Sequence, residues 1–147
     1  MSEAKTYNIS LIDEYLEIWD RFANGESNLV PYLRENKRAF EENLEAALKA
    51  KDKRAPARLV FYPIVQVGGY IEVESELGRA AASYLGAQFP VSENKDQKKV
   101  YFAGDLYLWW ENNKERFDPL PLFERWKQRE FSQKTVIPMY KAAVKKR

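Results

Sequence analysis

The sequence predicts a mainly helical protein, folded as one domain over residues 1–147 and built from five to six helices. Three observations carry that prediction. Apolar side chains recur at helical spacing over residues 9–23 and again along 31–50. Later stretches repeat helix-start signatures, with Asp118 before Pro119 and Thr135 ahead of Pro138. The string from Glu111 to Arg116 holds no strand-favouring residue. The alternative is an α+β domain whose small antiparallel sheet is built on a hairpin at Gly68-Gly69. At 147 residues the chain is long enough to bury a sizeable core without disulfide or metal staples.

The first helix places Ile12, Tyr15, Leu16, Trp19 and Phe22 on one side, with Asp13, Glu14, Glu17 and Asp20 on the other. Ser10 or Asn8 can cap its free amides, and Asn24-Gly25 supplies the stop. The second opens after Ser27 or Asn28, carries Pro31 in its first turn and runs to about Ala50. Leu33, Phe40, Leu44, Ala47 and Leu48 form its apolar stripe. Lys37–Glu41, Arg38–Glu42 and Glu45–Lys49 are four-apart charge pairs on its solvated faces.

Residues 56–74 admit two readings. Ile64-Val65-Gln66-Val67 and Tyr70-Ile71-Glu72-Val73 flank Gly68-Gly69 as the two arms of a hairpin would. Pro56, Leu59, Val60, Ile64 and Val67 also share one helical face, and this helix reading, with Tyr70–Glu74 as a loop, is the one adopted. Ser75 then caps a helix through Leu85 that stops at Gly86. The polar run VSENKDQKK is expected to be a mobile exposed loop. Val100–Ala103 suits a short strand, and Asp105 is expected to cap a helix carrying Leu106, Trp109, Trp110, Asn113 and Phe117 along one face. The next helix bears Leu122, Phe123 and Trp126, and the last bears Met139, Tyr140 and Val144, with Lys145, Lys146 and Arg147 at its negative end.

Composition narrows the chemistry. Cysteine and histidine are both absent, which removes thiol nucleophiles, disulfides, thiolate metal sites and the side chain that titrates near neutrality. No phosphate loop, HExxH, GxSxG or calcium loop occurs, and no cofactor or metal is expected. Glu72, Glu74 and Glu76 alternate, but they lack the supporting oxygen ligands of a calcium loop and are expected on a solvated surface. There is no apolar run of membrane-spanning length and no secretory or transit signature at the N-terminus, so a cytoplasmic location is expected. The net charge of +2 conceals a gradient: residues 1–50 carry six basic and ten acidic side chains, and residues 114–147 carry ten and four. The acidic first third is expected to pack beside the basic last third.

Functional candidates gather in Tyr101–Phe131, which holds nine of the 21 aromatic residues and three of the four tryptophans. Leu106, Trp110, Phe117, Phe123 and Trp126 read as core. Tyr107, Trp109 and Trp110 are too close in sequence for one helix to turn them all inward, so Tyr107 or Trp109 is expected in an exposed apolar patch. Together with Arg116, Arg125 and Arg129, these two form the expected partner-binding set, since Trp, Tyr and Arg are the usual anchors of interfaces. The leading expectation is a non-catalytic interaction or regulatory protein, of the inhibitor or immunity kind, that meets a protein partner or a second copy of itself. One alternative is single-stranded nucleic-acid binding through Phe117, Phe123, Trp126 and Phe131 interleaved with Arg116, Arg125, Lys127 and Arg129. The other is a small hydrolase using Asp105, Glu111 or Glu115 with a pKa raised by the tryptophans.

Overall fold

The computed structural model describes residues 6–66, 68–86 and 89–145. Its seven α-helices are α1 (Ile9–Ala23), α2 (Val30–Lys49), α3 (Ala55–Val65), α4 (Glu76–Leu85), α5 (Ala103–Asn113), α6 (Pro121–Gln128) and α7 (Ile137–Lys145). Three short strands, β1 (Tyr70–Glu72), β2 (Ser92–Glu93) and β3 (Lys99–Phe102), form one antiparallel sheet in the order β1-β3-β2. The fold is mainly α, as the sequence predicts, with seven α-helices among the described residues where five to six are expected, and it carries a small sheet.

All eleven residues of α3 are buried, so it has no solvent face and works as the central strut. Helices α1, α2 and α5 pack on it directly. Arg58, on α3, is also buried, and its charge is met by both oxygens of Asp13 on α1 at 2.7 and 3.0 Å and by the Arg54 carbonyl at 3.0 Å. Pro63 lies in the last turn, where its missing amide costs the helix one terminal bond. The helix reading of this segment holds.

The hairpin reading does not. Its second arm, Tyr70–Glu72, is a strand rather than the expected loop, but it pairs with β3, matching Ile71 to Tyr101. Val67, in the first arm of that hairpin, lies outside the described residues, as do Lys146 and Arg147 at the chain end. The polar run 91–99, expected as a mobile exposed loop, is mostly exposed but forms a hairpin between β2 and β3. Glu93 pairs with Lys99, and the Asn94 side chain accepts from the amides of Asp96 and Lys98 at 2.9 and 3.0 Å.

Caps follow the sequence at α1, where the Asn8 side chain accepts from Ser10 N at 2.9 Å, and at α4, where Ser75 Oγ accepts from Gly78 N at 3.0 Å. They depart from it further on. Asp105 sits inside the first turn of α5, which begins at Ala103, and accepts from Ser92 Oγ at 2.9 Å, tying β2 to the helix. Helix α6 starts at Pro121 rather than Pro119. The last helix is preceded by a π-helical turn over Ser132–Val136, next to Pro138, which has no amide to return to the carbonyl four residues back.

Asp20, expected on the solvent face of α1, is buried and forms a two-pronged pair with Arg129 at 2.7 and 2.6 Å. The acidic and basic ends of the chain meet there. Arg129→Ala strands the buried carboxylate and is expected to cost about 2 kcal/mol in chemical denaturation. That is less than the roughly 3–5 kcal/mol of a fully buried pair, because Arg129 is partly in water. Gly78 packs so close to β1 that a Cβ there would overlap the Glu72 and Val73 carbonyl oxygens. Gly78→Ala is therefore expected to destabilise by about 2 kcal/mol or more on the same measurement.

Candidate functional site

Of the five residues expected to bind a partner, the structure places two in the interior and holds a third, half-buried, in an ion pair. Tyr107 (4% exposed) lies between Phe123 and Tyr140, and Trp109 (8%) stands edge-on to Phe89 at 4.9 Å. Trp110 (1%) is buried as well, so the expected exposed patch at Tyr107 or Trp109 is not formed. One helix buries all three because α5 is flanked by α3 and α7, and Phe89 covers the side they leave open. Gly104 permits this, its α-carbon facing Tyr140 where a Cβ would come to 3.3 Å of the ring's own Cβ. Arg129 is the third, held by Asp20.

Arg116 and Arg125 are exposed. The Arg116 guanidinium stands 5.2 Å above the ring of half-buried Phe117, which in turn packs on Trp109 at 5.9 Å and Tyr84 at 6.0 Å. Two of the expected residues, Arg116 and Trp109, thus meet through Phe117. The continuous stacking strip needed for single-stranded nucleic acid is not on the surface. Phe123 and Trp126 are core, and Lys127 is drawn onto Glu111 at 2.6 Å.

Glu111 does not offer a raised carboxyl. Burial works against its charge, but Lys127 and Lys114, the latter at 3.0 Å, outweigh that and hold it below the usual carboxylate range. Tyr107 beside it is pushed up by burial and by the Glu111 charge. Among the described residues no group of three or more acidic side chains converges as metal ligands would, and Glu72, Glu74 and Glu76 are exposed.

A concave feature with aromatic and charged walls lies elsewhere, over β1. A groove of about 280 Å³ is lined by Lys37 and Glu41 from α2, Tyr62 and Gln66 from α3, Tyr70, Ile71 and Glu72 from β1, and Ser75 and Leu77 at the start of α4. A second recess of about 240 Å³ shares Glu41, Ser75 and Leu77 with it and adds Arg38, Glu42, Glu45 and Glu76. Glu41 stands where the two join.

Each wall is fixed by the fold. Tyr62 is buried and held by Phe40 at 4.6 Å, which stacks on Tyr15 at 4.5 Å. Tyr70 is half in water, edge-on to Phe102 at 6.0 Å. Ser75 Oγ is committed to its cap and to the Glu72 carbonyl at 2.7 Å, so it is not a free nucleophile.

Glu41 is the exception to the charge pattern of α2. Arg38–Glu42 and Lys49–Glu45 form at 3.0 and 2.8 Å, but Glu41 has no ion pair or hydrogen bond among the described residues. Withdrawal from water raises its pKa, and Lys37 offsets this only in part. Burial raises Tyr62 too, with the Glu41 charge adding to it, so the phenol stays neutral. The groove therefore offers a carboxylate partly withdrawn from water beside aromatic walls. The sequence, which pairs Glu41 with Lys37, gives no signal of this.

A carboxylate that ionises less readily in the folded than in the unfolded chain destabilises the fold once charged. Its contribution is fully present below the ordinary carboxylate pKa and is lost as pH rises through the raised one. Glu41→Gln is thus expected to melt at or above the wild-type temperature at pH 7, with the gap closing as pH falls below the carboxylate range, read by circular dichroism melts across pH 3–8. Comparison of the chain with known protein families, curated proteins and solved structures finds no match, so the functional reading rests on the groove itself.

Proposed function

We propose that this chain is a non-catalytic regulatory protein of the inhibitor or immunity kind, which acts by docking a protein partner through the groove over β1. The observation that carries the reading is Glu41, a carboxylate partly withdrawn from water, with no ion pair or hydrogen bond among the described residues, in a recess with aromatic walls. A folded protein gains nothing by itself from such a group; its use comes when a ligand completes it. Three further features support a binding role over a catalytic one. Histidine and cysteine are absent, Ser75 is consumed as a cap, and Glu111 is neutralised by two lysines. The exposed Tyr70 ring supplies the aromatic anchor that Tyr107 and Trp109, being interior, do not.

The test is affinity purification of the tagged chain from its native cell, alongside Tyr70→Ser and Arg125→Glu. A stoichiometric protein partner is expected with the wild type, reduced at least tenfold by Tyr70→Ser and retained by Arg125→Glu. Retention by Tyr70→Ser with loss in Arg125→Glu moves the interface to the basic C-terminal side and refutes the groove. Self-association instead appears as a concentration-dependent mass in light scattering, and is assigned to the groove only if Tyr70→Ser abolishes it.

A further inference from the structure

Resting on that docking reading, we infer that the recess beside Glu41 is a subsite for one cationic side chain, the ammonium of a lysine or the guanidinium of an arginine, presented by a basic segment of the partner protein. The first argument is the selective failure of one ion pair. Three four-apart pairs are available along α2, two of them close, and the pair that stays open belongs to the carboxylate on the groove wall. Spacing alone treats the three alike. Glu41 lies where α2 passes β1 and the start of α4, and there it faces the recess.

The second argument is chemical complementarity. An ionised carboxylate short of water and short of donors is completed by a donor that carries positive charge. The half-exposed Tyr70 ring lines the recess and is of the kind that attracts a cation, and Gln66 lines it as well. Glu41 and Glu72 on the recess walls are acidic, Glu72 standing 3.6 Å from Lys98, and Tyr62 is neutral. Lys37 is the one basic lining residue, exposed, and its charge favours the Glu41 carboxylate without closing an ion pair among the described residues. The adjoining recess adds Glu42, Glu45 and Glu76 against Arg38, and Arg38 is committed to Glu42.

The recess, at about 280 Å³, has room for one long side chain. Such a side chain lays its methylenes along Leu77 and Ile71 and sets its charge beside Glu41.

The inference is tested on the full chain by nitrogen-15 NMR titration with tetralysine, tetraarginine and tetraglutamate, using wild type, Glu41→Gln and Glu74→Gln. Glu74→Gln removes the same formal charge from an exposed position outside the recess. Either basic peptide is expected to give saturable shifts at the amides of Glu41, Gln66, Tyr70 and Ser75, with affinity falling at least tenfold in Glu41→Gln and less than twofold in Glu74→Gln. Tetraglutamate is expected to shift none of them. Equal weakening by both variants marks diffuse surface attraction and overturns the inference, as does the absence of groove shifts with both basic peptides. Because Glu41→Gln is expected to be at least as stable as wild type, loss of binding is separable from loss of fold. Partner capture that Tyr70→Ser abolishes and Glu41→Gln leaves intact keeps the docking function and refutes the cation subsite. Peptide binding that needs Glu41, with no partner recovered from the cell, does the reverse.

Discussion

A helix with no face to water has to be covered on every side, and α3 is such a helix. The rest of the architecture follows from covering it. Helices α1 and α2 close one side, and α5 another. Helix α6 brings Phe123 to 5.1 Å and Trp126 to 6.1 Å from Phe61. Helix α7 sends the Tyr140 hydroxyl to donate to the Ile64 carbonyl at 3.2 Å, meeting one of the orphan acceptors at the end of α3. The single charge on the strut, Arg58, is tolerable because Asp13 and the Arg54 carbonyl answer it. At burial this complete, a lone guanidinium would cost several kcal/mol (~3–5).

What the sequence reveals, and what it hides, tracks that same geometry. Helices α1, α2 and α4 are legible because each has a wet side, so hydrophobic periodicity and caps are visible. Helix α3 is ambiguous for the opposite reason. When every face is buried the pattern loses its period, and a run such as Ile64-Val65 next to two glycines reads equally well as a strand. The true partner of β1 is β3, about thirty residues further on, and no local signal specifies a pairing across that distance. The sheet was foreseeable as an alternative, but its construction was not.

The aromatic stretch shows a related limit. Tyr107, Trp109 and Trp110 cannot all face inward on a helix with one neighbour, but α3, α7 and Phe89 enclose α5 from different directions. Counting faces on an isolated helix underestimates burial wherever a helix is sandwiched. The groove failed to register for a subtler reason. Lys37 and Glu41 have the spacing of a stabilising pair, and only the passage of β1 beside α2 gives Glu41 somewhere else to be. Charge patterning reads correctly for Arg38–Glu42 and Glu45–Lys49, although Glu45 itself is buried, and misreads Lys37–Glu41, whose carboxylate stands on the recess wall.

The Tyr140 hydroxyl, which donates to Ile64 O and accepts from Gly68 N, joins points 76 and 72 residues apart, and the Asp20–Arg129 pair spans 109. Closures of that length are slow to find, since their entropic cost falls due before the contacts repay it. The groove, by contrast, draws its lining from residues 37–77. During synthesis those residues emerge well before residues 129 and 140, so the recess can be outlined while α3 still lacks its outer cover. The groove's walls thus lie close together in sequence, apart from the β3 strand that β1 pairs with, while the contacts that close the outer cover of α3 span most of the chain.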